Sequence, residues 1–168
     1  LINRLVISPD LGRLIGYYLA EGSTDGTNTF SFCFSRNESE YVEDLMRLVK
    51  LVFGLSNPRV YKRSNTQSVE LTFYSKIHAI WFKKYFYTEE GKKKKAPYKQ
   101  LPDFILNSSS QVKAEMLRGW YRGDKGYTSS RVLMNQFKAI CLDLGIIPSI
   151  LVETKDSHNE KNHNNWSL

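Results

Sequence analysis

Glu21 and Asp124 are the two acids whose surroundings point to chemistry. Upstream of Glu21, small residues recur every four positions as Gly12, Gly16 and Ala20; upstream of Asp124, Gly119 and Gly123 keep the same spacing. On a helix, positions i and i+4 lie one above the other, so each series forms a smooth ridge along which two backbones can approach closely. Glycine costs about 1 kcal/mol in a helix interior relative to alanine, so four of them need a reason of this kind. Packing the ridges together brings the two acids out side by side at the helix C-termini. Both carboxylates would then sit close to each other and to the negative ends of two helix dipoles. A hard divalent cation with oxygen ligands resolves that conflict and would also attract a phosphodiester. The plain alternative is a pair of solvated helix ends above a close-packed crossing.

The elements that must position these acids can be read from caps and periodicity. Ser8-Pro9-Asp10 opens a helix over 9–21, with Gly22 as its stop. Residues 29–35 alternate, with Phe30, Phe32 and Phe34 on one face and Ser31, Cys33 and Ser35 on the other, the pattern of a half-buried strand. Asn37 with Glu40 is spaced as a capping box for an amphipathic helix that turns Val42, Leu45, Leu48, Val49 and Val52 inward and closes at Gly54. Residues 58–63 and 67–73 read as a hairpin turning at Ser64-Asn65-Thr66, with Val69, Leu71 and Phe73 toward the core. Ser75 is expected to cap a helix carrying Ile77, Ile80, Trp81 and Tyr85.

A basic connector follows over 88–99, with four lysines from Lys92 to Lys95. Serines 108–110 offer a cap for a second helix ending near Gly123-Asp124, and a further helix spans 131–144 and stops at Gly145. Residues 148–154 read as a strand and 156–165 as a polar turn. The order helix, strand, helix, hairpin, helix thus appears once and partly restarts at Ser108. We read an imperfect duplication about a pseudo-twofold axis, with halves at 1–105 and 106–168. The second half is shorter, since almost nothing separates Asp124 from Arg131.

The segment Leu14-Ile15-Gly16-Tyr17-Tyr18-Leu19-Ala20-Glu21-Gly22 resembles the first nine-residue motif of the LAGLIDADG homing endonucleases, with Glu21 in the acidic position. Leu117-Arg118-Gly119-Trp120-Tyr121-Arg122-Gly123-Asp124-Lys125 resembles the second, with Asp124 matching the acid. Lys125 departs from the usual final glycine, and Gly126 follows. The likeness is greatest to single-chain, two-motif members carried inside inteins and archaeal introns. It implies an α+β fold, a duplicated αββαββα unit whose two antiparallel sheets form a saddle over the DNA major groove. It implies site-specific hydrolysis of a long double-stranded DNA target by a monomer acting as a pseudodimer. Mg2+, or another divalent cation, would bind Glu21 and Asp124, with Ala20 and Gly123 beside them in the metal site. Lys99 matches the lysine that intein-borne members place just before a Leu-Pro, here Leu101-Pro102, and a cation there could stabilise phosphate charge. Repeating its spacing after Asp124 leads past Leu168, which leaves open a truncated chain, missing residues or a degraded second site.

Period two places Arg59, Tyr61 and Arg63 on one strand face suited to reading bases, with Lys62 pointing the other way. Ser31, Ser68, Glu70 and Thr72 could join that face across the sheet; a solvated strand face is the alternative. Lys62, Lys94 and Lys155 complete the DNA-binding candidates, the last two as phosphate contacts. His158-Asn159 and His163-Asn164 lack the cysteine pair or second cluster of a zinc or HNH centre and read as a polar loop. His78, among apolar neighbours, reads as structural. The ends, Leu1 and Trp166-Ser167-Leu168, lack the terminal nucleophile and final His-Asn of protein splicing.

A formal charge of +7 and a pI near 9.4 favour a polyanionic partner. Two distant cysteines, Cys33 and Cys141, fit buried thiols in a reducing compartment. No apolar run reaches transmembrane length. The chain therefore reads as intracellular, cytoplasmic or nucleoid-associated, with no membrane partner. Two further functions remain open: an RNA maturase that assists intron folding, and a DNA-binding regulator without catalysis. Paired acids favour the enzyme.

Overall fold

The computed structural model describes residues 5–63, 67–88, 95–154 and 164–167. Helix α1 spans Pro9–Glu21 and opens as expected: the Ser8 hydroxyl accepts the Leu11 amide at 3.2 Å, proline fills the first turn, and Asp10 faces the positive end of the dipole. Strands β1 (Gly22–Thr24) and β2 (Thr29–Ser35) follow, then α2 (Ser39–Phe53), β3 (Arg59–Arg63), β4 (Ser68–Tyr74) and α3 (Lys76–Tyr85). This is one αββαββα unit. A short 3-10 turn at Ala96–Tyr98 leads to α4 (Asp103–Leu106), α5 (Ser110–Asp124), β5 (Tyr127–Thr128), α6 (Arg131–Asp143), β6 (Leu151–Thr154) and β7 (Asn164–Ser167). The strands form two antiparallel sheets, ordered β1-β2-β4-β3 and β5-β7-β6. The α+β class and the paired sheets agree with the sequence reading.

Alternation in β2 and β4 decides which face of the larger sheet is dry. Phe30, Phe32, Phe34, Leu71 and Phe73 are buried, and the aromatic layer continues through Tyr18, stacked on Phe82 at 3.7 Å. Helix α2 lays Leu45, Leu48 and Val49 on this core and ends at Gly54 with φ +71, the left-handed cap that glycine supplies without a steric penalty.

Several local expectations fail for identifiable reasons. Gly22 stops α1 as expected, but in extended backbone as the first residue of β1 rather than in a left-handed turn. Asn37 does not cap α2. Glu38 holds the N-cap position without a side-chain cap hydrogen bond, its carboxylate instead accepting the Ser35 amide at 2.9 Å. Ser75 stands at the N-cap of α3, but its hydroxyl pairs with Nδ1 of His78 at 2.7 Å. Ile77 and Ile80 face solvent, while Ala79 and Phe82 carry the buried face of that helix. The interval between Asp124 and Arg131 holds β5, and β7 takes in Asn164 and Asn165, the last two residues of the expected polar turn. The Ser64–Thr66 turn and the His158-Asn159 pair lie outside the described residues.

The helix pair foreseen from the glycine ridges is the centre of the molecule, and α1 packs against α5 more extensively than against any other described element. A methyl group on Gly16 would overlap the Met116 carbonyl and lie 2.6 Å from the Trp120 nitrogen; one on Gly119 would meet the Arg13 carbonyl. These obstacles are backbone atoms and cannot rotate away. We expect Gly16→Ala to destabilise the fold by more than about 4 kcal/mol, the range reserved for severe core overlap. Gly145→Ala, at φ +75 with nothing within 4 Å, should cost only about 1 kcal/mol. Denaturant melts of the two variants check the difference.

Candidate functional site

At the C-terminal end of the crossing, Ala20 and Gly123 face each other: a methyl on Gly123 would lie 2.5 Å from the Ala20 Cβ and 3.4 Å from Oε1 of Glu21. The two acids that follow these residues are therefore brought together, as the ridge argument required. Both are half-buried. Burial, then the charges of Asp124 and Glu38, push the Glu21 carboxyl up to about 7, against the pull of Lys99 and Lys125. Burial raises Asp124 to about 6, again opposed by Lys99.

Lys99 joins the pair from a different direction. Its side chain is 5% exposed, and Nζ donates to the carbonyls of Tyr18 at 3.0 Å and Leu19 at 2.8 Å, the last turn of α1. Nζ also lies 5.5 Å from the Tyr18 ring. Burial lowers the ammonium to about 8, while Asp124 and Glu21 hold it up, so it is charged at neutral pH.

Lys125, in the place of the motif's final glycine, takes the left-handed conformation itself at φ +52, and Gly126 follows at φ +93. Its Nζ caps the Arg122 carbonyl at 2.9 Å and sits 5.2 Å from the Tyr41 ring. Nothing in its identity as a lysine foretold this second cation beside Glu21. A second unforeseen network lies further back along the same helices. Asp44 of α2 collects Arg13, Arg122, Arg47 and the Tyr17 hydroxyl, and Arg13 also pairs with Glu115. It ties α1, α2 and α5 together behind the acids.

The exposed face of the larger sheet carries the other candidates. Register places Ser31, Thr72 and Arg59 in one row, Cys33, Glu70 and Tyr61 in the next, and Ser35, Ser68 and Arg63 in a third. Arg59, Tyr61, Ser31, Ser68, Glu70 and Thr72, expected on one face, are thus assembled there, and of Arg63 the strand register alone is described. Lys62 pairs with Val69 on the opposite face and leaves that set, because strand side chains alternate. The guanidinium of Arg59 covers the Tyr61 ring at 4.9 Å. Tyr74, hydrogen-bonded to both and 60% exposed, extends the face; the same period-two count would have found it had the strand been carried one residue past Phe73. Lys94 and Lys155 fall outside the described residues. Cys33 and Cys141 are unbridged, and His78 is a packed ring 4.2 Å from Phe53, its pKa lowered by burial.

Among the described residues, no third His, Cys, Asp or Glu joins Glu21 and Asp124 in a metal-binding cluster, and no helix is long and apolar enough to cross a membrane. Residues 8–87 match the family model described as a LAGLIDADG-like domain. The first αββαββα unit is thus a LAGLIDADG-like domain. The solved homing endonuclease I-DmoI has the same fold, with a TM-score of 0.63 over 96% of this chain and 88% of that one, at 13% identity. The chain is 35% identical over 147 residues to the uncharacterized protein MJ0043 of Methanocaldococcus jannaschii, matching 86% of its own length and 18% of the relative's. It is 33% identical over 125 residues to the DNA polymerase II large subunit of Thermococcus kodakarensis, matching 73% of its own length and 6% of that protein's. The chain spans less than a fifth of the curated relatives it matches.

The electrostatics can be checked directly. Between about pH 4.5 and 7, the folded chain keeps a proton on Glu21 that the unfolded chain has lost, so this group's contribution to stability declines as pH rises through that window. Replacing Asp124 with Asn removes a repelling charge. Carboxyl NMR of the metal-free protein should show Glu21 titrating below 7 in that variant; an unchanged or higher value would mean the two acids do not interact.

Proposed function

We propose that this chain is a site-specific endonuclease that hydrolyses phosphodiester bonds of a long double-stranded DNA target, with Mg2+ or another divalent cation. The observation that carries the reading is the meeting of two burial-raised carboxylates with one buried ammonium at the end of the α1/α5 crossing. The donor set fits a hard cation: two carboxylates crowded by burial and repulsion, with the remaining coordination left to other oxygens. Glu21 and Asp124 would hold the ion, with Ala20 and Gly123 beside them keeping the approach close. Such an ion acidifies water and offsets charge on a phosphodiester.

Lys99, anchored on the Tyr18 and Leu19 carbonyls, presents a positive charge where phosphate charge grows. Arg59, Tyr61, Arg63, Ser31, Glu70 and Thr72 offer a polar sheet face of the kind that enters a major groove. Lys94 and Lys155 would contact phosphates. I-DmoI has been crystallised in complex with DNA and Ca, which lends support by fold alone. Residues 1–105 and 106–168 act as the two halves of one monomeric pseudodimer. An origin as an inserted element, intein or intron, accounts for a match to only 6% of a polymerase subunit.

A cleavable duplex can be recovered from a randomised plasmid library by selecting molecules cut in the presence of Mg2+. On that duplex, Asp124→Asn should abolish cutting of at least one strand while binding stays equal or tightens, since a charge facing phosphate is lost. Lys99→Ala should slow cutting by about a hundredfold without loss of binding. Chelation of the metal should stop cutting and leave binding in place. Binding without any cutting by the unmodified protein would overturn the enzyme in favour of a regulator, and assisted intron folding without DNA cutting would favour a maturase.

Binding itself should weaken by a hundredfold or more from about 50 to about 200 mM salt, as released counterions require. An affinity flat over that range, measured by fluorescence anisotropy, contradicts a basic saddle on DNA.

A further inference from the structure

Ser130 is a fully buried polar residue outside the acid pair and Lys99. Its Oγ accepts the Leu133 amide as the cap of α6, and donates to the Lys99 carbonyl at 2.6 Å. Further along the same helix, Gln136 treats Leu101 as a strand would. Its Oε1 accepts the Leu101 amide at 2.7 Å, and its Nε2 donates to the Leu101 carbonyl at 3.0 Å. Helix α6 therefore holds the backbone on both sides of Gln100 with three hydrogen bonds. The opposite edge of the segment is tied to the end of α3: the Gln100 amide donates to Phe86, the Thr88 amide to Tyr98, and Tyr87 bridges to Lys99.

A lysine has four side-chain torsions, and it brings an ammonium to one place only if its backbone is fixed. Misplacement by about 1 Å at a reacting centre costs on the order of a hundredfold in rate. Packing alone would not call for a buried serine and an amide aimed at this one three-residue segment, since apolar residues fill core space without polar atoms to satisfy.

We propose that Ser130 and Gln136 are positioning residues for the Lys99 ammonium, so that α6 sets the geometry of a centre whose acids lie on α1 and α5. The kinetic side of this inference rests on the endonuclease reading given above. The placement of Lys99 does not.

Two measurements on the full chain test it. First, brief reductive methylation under native conditions, read by mass spectrometry, should find Lys99 protected in the parent. In Gln136→Leu and in Ser130→Ala it should react at least tenfold faster, with Lys113, buried against Asp143, unchanged as a reference. If Lys99 stays as protected as in the parent, α6 does not fix it and the proposal fails. If Lys113 opens in step in Ser130→Ala, that variant has loosened the core, and the half-buried Gln136→Leu site decides.

Second, on the selected duplex, the Ser130→Ala, Gln136→Leu double variant should bind unchanged and cut at least tenfold more slowly, with Ser130→Thr retaining near-parent rates. Combined with Lys99→Ala, the same pair should add no further loss. Additive losses, or weakened binding, would make Ser130 and Gln136 merely structural. If Lys99→Ala cuts at the parent rate, the catalytic reading of Lys99 falls, and the methylation result still stands or falls separately.

Discussion

Where α1 and α5 cross, the Met116 carbonyl occupies the space that a side chain on Gly16 would need, and the Arg13 carbonyl does the same opposite Gly119. Everything else in the molecule is arranged around this backbone-to-backbone contact. Because the ridges are bare, the helix axes come close enough for Ala20 to touch Gly123, and the acids that follow emerge together. A larger residue at any of these steps would separate the helices and with them Glu21 and Asp124. The crossing thus converts a packing rule into an electrostatic arrangement: two carboxylates at the unfavourable ends of two dipoles, each raised above its ordinary pKa. Local strain of this kind is retained where the rest of the fold over-determines it.

Lys99 resolves two needs at once. Its ammonium donates to two carbonyls in the last turn of α1, that of Leu19 and that of Tyr18, which also accepts the Gly22 amide, and it supplies the counter-charge for both acids. With a lysine capping those carbonyls from outside, the helix has no need of a left-handed glycine turn, and Gly22 continues directly into β1. The first strand of the larger sheet therefore starts one residue after the first acid. At the end of α5 the solution differs. Lys125 adopts the left-handed turn and caps the helix with its own side chain, so the two motifs are alike in their crossing and unlike in their exits.

How much of this was legible in the sequence follows from the range of each interaction. The glycine ridges, the Ser8 cap, the alternating strands and the shared face of Arg59 and Tyr61 are periodic or local, and each was readable. The pairing of Glu21 with Asp124 was readable too, because two matching ridges leave little choice of partner. The N-cap of α2 was misjudged because the helix starts one residue later than the capping-box spacing assumed, with Glu38 at the cap and its carboxylate turned back to the Ser35 amide. Tyr74 was missed by ending a strand one residue early. The grip of Ser130 and Gln136 on the Lys99 segment joins residues more than thirty positions apart through irregular backbone, and no periodicity marks it.

The central claim is that one divalent ion site is built jointly by the two helix ends. Crystals grown with Mn2+ and measured at the manganese absorption edge would test it most directly, with no need to know the DNA target. An anomalous peak within coordination distance of carboxylate oxygens of both Glu21 and Asp124, absent in Asp124→Asn, is the result expected. A manganese ion bound elsewhere on the chain, with none touching either acid, would contradict the account.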